Sequence, residues 1–336
     1  MKAWLLDRME GISRLRLADV PDPHPAAGEV VLNIDFAALN PADRYLAEGQ
    51  YPARPPLPHI LGRDGVGTVL EVGPGVTGLK PGDRRAILRG EVGVSRAGTF
   101  AQRTIVPVES LVEIPSGWSE EEAGAAPLVY LTAYQALTQW GELPPSVVLI
   151  TGASGGVGVA STQLASLMGH TVVALSRSEK KQQHLRDLGA RIALDPQDRN
   201  WPAQLKEQLG GRRVDLAIDN IGGPLFSQVI DTLGNLGKVS VVGRLAGPVP
   251  QFNTASLFFR RLRIGGVHVG ANTPPESQAA WARIVGILQK GGEKPLIDQV
   301  FAFEQLLQAF ARLEQGPMGK VVVNVNPEAA PTGPGR

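Results

Sequence analysis

The chain has 336 residues, 33 basic and 32 acidic side chains, a net charge of +1 and no cysteine. At about 100–200 residues per domain the length suits about two domains, and a 43% hydrophobic fraction can fill their cores. The balanced charge argues against a broad nucleic-acid surface, and the missing thiols exclude disulfides, thiolate nucleophiles, iron–sulfur clusters and cysteine-ligated zinc.

The first eight residues, Met1-Lys2-Ala3-Trp4-Leu5-Leu6-Asp7-Arg8, place charges where a secretory signal needs an apolar core. No apolar run reaches the roughly 18 residues that span a bilayer. The expectation is a cytoplasmic protein with neither a membrane nor a nucleic-acid partner. Residues 1 to about 120 are rich in Pro and Gly, with short alternating apolar segments at 29–36 and 65–73. Such segments between turn signals predict an antiparallel β domain.

From about 121 to 265 the pattern changes. A continuous apolar run at 146–150 and similar, largely apolar runs at 171–175, 214–218 and 238–242 predict strands buried on both faces. Helical patterns occupy 157–168, 178–188, 201–209 and 224–233 between and beside them. This alternation predicts an α/β fold with a doubly wound parallel sheet and right-handed crossovers. Beyond 266 the sequence predicts helices over 275–289 and 303–314 and a last strand within 319–325. That strand has no neighbour of its own, so it is expected to rejoin the first domain. The predicted organisation is a discontinuous β-rich domain of 1–122 and 266–336, and a dinucleotide-binding domain of 123–265. The Pro/Ala/Gly-rich tail 327–336 is expected to be disordered.

The first of the continuous runs ends in Thr151-Gly152-Ala153-Ser154-Gly155-Gly156-Val157-Gly158, directly before a predicted helix. Strand, glycine turn and helix together form the context of a dinucleotide fingerprint. Small residues let the backbone approach a pyrophosphate, and the helix start offers unpaired N–H groups and a partial positive charge. Gly152, Ser154, Gly155, Gly156, Val157 and Gly158 are therefore candidate cofactor contacts. The next predicted strand ends in Leu175-Ser176-Arg177-Ser178, with Lys181 shortly after. An NAD site usually has a carboxylate there to bond the ribose hydroxyl. Ser176, Arg177 and Lys181 suit a 2′-phosphate instead, so NADPH is expected over NADH. Asp195, further along the chain, would repel that phosphate if it pointed inward. Asn220 and Gly243 lie at the ends of later predicted strands, where a doubly wound sheet borders its ligand.

Beyond these motifs, the chain resembles the medium-chain dehydrogenase/reductase superfamily over nearly its whole length. The resemblance rests on Ala37-Ala38-Leu39-Asn40-Pro41-Ala42-Asp43, Leu61-Gly62-Arg63-Asp64-Gly65-Val66-Gly67, Pro81-Gly82-Asp83-Arg84, Leu131-Thr132-Ala133-Tyr134, the fingerprint, and Gly319-Lys320-Val321-Val322. It implies that the β-rich part is a GroES-like domain and the cofactor part a Rossmann domain. In the zinc alcohol dehydrogenases of this superfamily, a metal-binding cysteine stands where this chain has Asn40. Their Gly-His-Glu segment is here Gly62-Arg63-Asp64, and residues 87–99 lack their four-cysteine lobe. No two of the five histidines have ligand spacing, so no metal is expected.

The segment from Asn40 to Tyr51 is similar to the zinc-free branch, the quinone oxidoreductases of zeta-crystallin type and the mitochondrial-type 2-enoyl thioester reductases. The resemblance implies that Tyr51 is a proton donor or pocket residue, that Asn40 belongs to the site, that Thr132 approaches the nicotinamide, and that Lys320 lies on the cofactor side. Thr132 could equally cap a helix over 133–140, Asp43 could cap the helix starting near Pro41, and Arg63 and Asp64 could pair with each other. The implied function is NADPH-dependent, metal-free hydride transfer to quinones or other α,β-unsaturated carbonyl compounds. Reduction of a 2-enoyl thioester stays open as an alternative, as does a non-catalytic NADPH-binding sensor or structural protein. An edge strand within 260–270, bearing Arg260, Arg261 and Arg263, implies a homodimer.

Overall fold

The strand Glu29–Ala38 organises the first part of the chain, and it is buried at nearly every position rather than at every second one. The cause is the helix Glu120–Ala125, whose small residues Ala123, Gly124 and Ala125 are buried against the sheet. A Cβ added to Gly124 would lie 2.9 Å from Cγ1 of Val66. The computed structural model describes residues 1–88, 91–247 and 250–327, so most of the tail expected to be disordered, 328–336, lies outside the described residues. The chain divides into two units. The first comprises Met1–Leu128, Gly270–Ala279 and Lys294–Arg336; the second comprises Val129–Val269 and Ala280–Glu293.

In the first unit a seven-stranded sheet runs in the order Ile297–Ala302, Lys320–Asn324, Glu29–Ala38, Asp64–Val72, Arg84–Ile87 and Leu111–Val112, with Arg103–Pro107 also paired to Glu29–Ala38. Only the pair Ile297–Ala302 and Lys320–Asn324 is parallel. The C-terminal strand does return to the N-terminal sheet, with Val322 opposite Ala38. A smaller sheet joins Leu15–Asp19, Lys2–Leu6 and His59–Ile60. The core includes Trp4, Leu32, Ile34, Leu46, Phe100 and Phe310. Phe100 and Phe310 meet edge to face with centroids 5.7 Å apart, a favoured aromatic geometry.

The second unit carries a six-stranded, wholly parallel sheet in the order Ile192–Leu194, Thr171–Leu175, Val147–Ile150, Val214–Asp219, Leu233–Val241 and Arg263–Gly266. This is the Rossmann order, and its switch point lies between Val147–Ile150 and Val214–Asp219. The four helical patterns become Gly156–Leu167, Glu179–Asp187, Trp201–Gln208 and Leu225–Thr232. Two strands had no clear pattern in the sequence. Ile192–Leu194 has only three residues, and Ile297–Ala302 is an edge strand with no buried position. Among the described residues no helix is long and apolar enough to cross a membrane.

Candidate active site

At the switch point of the second unit, Thr151 couples two strand ends. Its Oγ1 donates to Oδ1 of Asp219 at 2.8 Å and accepts from the backbone N–H of Asn220 at 2.9 Å. Gly152 then turns the chain at φ +57°, where an added Cβ would come within 2.7 Å of Ile221 Cδ1. Gly158 allows a second close approach, since its Cβ would lie 2.4 Å from the Gly152 carbonyl oxygen. Gly155 differs. It precedes the helix Gly156–Leu167, no side chain caps that helix, and the nearest atom to its added Cβ is 3.6 Å away. Gly152 and Gly158 therefore fold the turn, while Gly155 keeps open the approach to helical N–H groups. Ser154, Gly156 and Val157 are half-buried along the same turn.

Asn220 is 8% exposed. Its Nδ2 donates to the Thr151 carbonyl at 2.8 Å, but its Oδ1 is buried with no partner among the described residues. A buried acceptor without a donor is costly, so this atom marks a place for a ligand N–H or O–H. Gly243 packs against the same residue, and its Cβ would meet the Asn220 carbonyl oxygen at 2.6 Å. Its lack of a side chain is thus required by the protein's own backbone.

At the end of Thr171–Leu175, Ser176 is buried and Arg177 is exposed. Lys181 lies half-buried in the first turn of the helix Glu179–Asp187, where its N–H meets Ser178 Oγ at 3.5 Å. Asp195 turns its carboxylate into its own loop, accepting from the Gln197 N–H at 2.8 Å. Thr132 lies inside the helix Pro127–Thr138. That helix starts six residues before the predicted 133–140, so the capping role considered for Thr132 does not hold.

The first unit contains a buried polar cluster. Ala38 pairs with Asp64, and the Leu39 N–H reaches the Val321 carbonyl at 3.0 Å. Three adjacent strand ends thereby bring Asn40, Asp64 and Lys320 together. Lys320 Nζ donates to Asn40 Oδ1 at 2.7 Å and to Asp64 Oδ2 at 3.0 Å. Asn40 Nδ2 donates to the same Asp64 oxygen at 2.9 Å, and the Leu128 N–H meets Asp64 Oδ1 at 3.1 Å.

Asn40 also precedes the helix Pro41–Ala47, where Asp43 Oδ2 accepts from the Asn40 N–H at 2.9 Å. Asp43 Oδ1 accepts from Arg63 Nε at 3.2 Å, and Arg63 Nη2 donates to the Ala42 carbonyl at 3.2 Å. The Arg63 guanidinium lies over the half-buried Tyr51, with Cζ 4.4 Å from the ring centroid. Asn40, Asp43, Arg63, Asp64 and Lys320 are each at most 4% exposed. Burial pushes the Asp43 carboxyl up to about 6, against the Arg63 charge, the Asn40 N–H and, more weakly, Lys320.

The carboxylates and cations pair differently from the sequence reading. Arg63 holds Asp43 rather than its neighbour Asp64, and Asp64 holds Lys320. Asp43 does cap its helix, as the sequence allowed. The stack of Arg63 on Tyr51 had no signal in the sequence, because it depends on a strand start and a loop converging. Lys320 belongs to this buried cluster rather than to the surface.

Residues 26–116 match the alcohol dehydrogenase GroES-like domain family, and residues 156–286 match the zinc-binding dehydrogenase family. The human synaptic vesicle membrane protein VAT-1 homolog is 29% identical over 98% of this chain and 87% of that protein. A quinone oxidoreductase-like protein 2 homolog from Nematostella vectensis is 30% identical over 88% of this chain and 81% of its own length. An acryloyl-coenzyme A reductase from Metallosphaera sedula is 32% identical over 68% of this chain and 72% of its own. Among solved structures, an NAD-dependent alcohol dehydrogenase gives a TM-score of 0.89 at 31% identity, covering 97% of this chain and all of that one. A mycobacterial protein solved with NADPH gives 0.87 at 26% identity, covering 97% of this chain and 100% of its own.

A catalytic zinc does not fit the residues at this site. Such a site needs about three protein ligands and an open position. Here Asn40 and Arg63 stand at the ligand positions, Lys320 adds a second cation, and both oxygens of Asp64 already accept hydrogen bonds. Two carboxylates and two cations close the charge balance without a metal. Among the described residues no group of three or more His, Asp or Glu could hold one.

Proposed function

Because this chain is a member of the medium-chain dehydrogenase/reductase superfamily, a family of nicotinamide-dependent oxidoreductases, we propose that it is an NADPH-dependent, metal-free reductase of quinones or other α,β-unsaturated carbonyl compounds. The observation that carries this reading is the closed network of Asn40, Asp43, Arg63, Asp64 and Lys320, with Tyr51 stacked on Arg63; by the sequence resemblance, Asn40 and Arg63 stand where the zinc alcohol dehydrogenases have metal ligands.

In the second unit, the open turn at Gly155 and the first-turn N–H groups would hold a pyrophosphate, and Asn220 Oδ1 would accept from the nucleotide. When bound, the cofactor supplies a hydride. Arg177 carries no hydrogen bond or ion pair among the described residues, and Asp195 is bonded within its own loop. A free guanidinium suits a dianionic 2′-phosphate. Ser176 and Lys181 are assigned as secondary contacts to that phosphate, and Thr132 and Gly243 complete the proposed cofactor set.

Hydride addition to an enone or quinone leaves negative charge on oxygen. Tyr51 offers a phenolic proton to that oxygen or to the adjacent carbon, and solvent returns the proton afterwards. Asn40 is the group that Lys320 and Asp64 hold in place next to the start of the helix 41–47. Lys320, bonded to Asn40 and Asp64, acts here through Asn40.

A second reading, reduction of a 2-enoyl thioester, is favoured by the similarity to an acryloyl-coenzyme A reductase. Oxidation of NADPH, followed in parallel with a simple quinone and a crotonyl thioester, separates the two. Rapid turnover of the quinone alone supports the first reading, and rapid turnover of the thioester alone replaces it with the second. Binding of NADPH without turnover of either acceptor would sink both.

Arg177→Ala should raise the KM for NADPH by about 10- to 100-fold, the loss of a charged hydrogen bond, and leave that for NADH unchanged. Equal effects on both cofactors would remove the phosphate role. A homodimer is also part of this reading. Arg263–Gly266 is an edge strand, and Phe258 and Phe259 just before it are 65% and 79% exposed. Pairing with a second copy would cover both features. Sedimentation at twice the chain mass is the expected result, and a monomer at micromolar concentration would contradict it.

A further inference from the structure

Tyr51 is held from two sides by arginines that differ in burial and in what they grip. The loop carrying it leaves the helix Pro41–Ala47 through Gly49 at φ +66°. The exposed Arg54 folds back over this loop. Its guanidinium donates to the Gly49 carbonyl at 2.8 Å, to the Ala53 carbonyl at 3.1 Å and to the carbonyl of Tyr51 itself. One side chain thus closes the main chain on either side of the tyrosine.

Arg63 acts on the ring. Its Nε and Nη2 are anchored on Asp43 and on the Ala42 carbonyl, so the plane of the guanidinium is fixed by two bonds at the start of that helix. The flat cation lies 4.4 Å from the ring centroid. A buried guanidinium over an aromatic face is attracted by the ring quadrupole more strongly than an exposed one. A lysine could keep the charge opposite Asp43, but it has no planar fork to bond twice and stack at once. The rest of the Tyr51 ring packs on the apolar core of the first unit.

We propose that Arg63 and Arg54 are positioning residues for Tyr51, Arg63 setting the plane of the phenol and Arg54 setting the loop that carries it. The hydroxyl is thereby presented in one orientation before substrate arrives. Such preorganisation matters for a proton donor because a small misplacement slows transfer steeply. The proposal deepens the reading of Tyr51 as proton donor and rests on it. It assigns Arg63 a task beyond balancing the charge of Asp43.

The test uses the full chain labelled with 3-fluorotyrosine. There are four tyrosines, and the resonance of Tyr51 is the one lost in Tyr51→Phe. Tyr130 and Tyr134, in the other unit, serve as internal controls. Arg63→Lys and Arg54→Ala should each move the Tyr51 fluorine line toward that of the free amino acid and leave both control lines in place. Each should lower kcat about 10-fold with little change in the KM for NADPH, and by less than about twofold in a Tyr51→Phe background.

Arg54 is exposed, so its variant tests the clamp even where Arg63→Lys folds poorly. A Tyr51 line that stays put in both variants overturns the proposal whatever the activity. Wild-type activity of Arg63→Lys with an unmoved line would reduce Arg63 to a counter-ion. A displaced line together with undiminished turnover of Tyr51→Phe supports the clamp and instead removes the proton-donor reading.

Discussion

Lys320→Met is expected to destabilise the first unit by about 3–5 kcal/mol, the usual cost of leaving one half of a buried ion pair alone. Nζ of Lys320 is the only cation bonded to Asp64 among the described residues, and it also holds Asn40 Oδ1. Methionine fills much of the same volume but donates nothing. The Asp64 carboxylate would keep the Asn40 amide and the Leu128 N–H as partners with no counter-charge. Urea denaturation should show the loss, and adding Asp64→Asn should recover most of it, because the double variant buries no unpaired charge.

The loss should also depend on pH. Asp43 is a carboxyl whose folded pKa, about 6, is raised mainly by burial. A raised carboxyl pKa contributes stability at low pH that is lost as pH rises through the folded value. Lys320 is one of the cations that restrain this rise, so removing it should deepen the loss most above about pH 6 and least near about pH 4. A Lys320→Met variant within about 0.5 kcal/mol of wild type, the range of an ordinary surface change, would show that Asp64 does not depend on Lys320.

Tyr51→Phe should lower kcat by about 10²–10⁴-fold with the preferred acceptor, the range for loss of a positioned acid. The ring and its stack on Arg63 survive the change, so folding and NADPH binding should stay close to wild type. Only the hydroxyl is lost, and with it the proton that completes reduction after hydride addition. An equal fall in kcat and kcat/KM would place that contribution in the transition state. Turnover within about twofold of wild type, with quinone and thioester alike, would leave Tyr51 as pocket wall and assign the proton to water.

Much of the second unit was legible because its signals are local. A strand buried on both faces is a run of apolar residues, and Val147–Ile150 and Thr171–Leu175 each show one. The glycine turn was legible for the same reason, since strand, turn and helix are contiguous. What each glycine does was not. That Gly158 meets the turn backbone closely while Gly155 has room for a Cβ at ordinary contact distance depends on how the helix leans on its own strand. The strand Ile192–Leu194 was missed because three residues are too few to show a period, and Ile297–Ala302 because none of its positions is buried.

The class of the fold, the dinucleotide turn, and the positions of Asn40 and Tyr51 within a segment like that of the zinc-free reductases are all legible along the chain. Which side chains pair is set by the folded arrangement. Asp64 lies next to Arg63 in the chain yet binds Lys320, 256 residues away, while Arg63 reaches back 20 residues to Asp43. The reason is register. Asp64 opens the strand Asp64–Val72 while Arg63 precedes it, outside the ladder, and the pairing of Ala38 with Asp64 and Val322 with Ala38 selects the partners of Asp64. No spacing along the chain encodes that choice, which is made when three strand ends from distant parts of the sequence close one sheet.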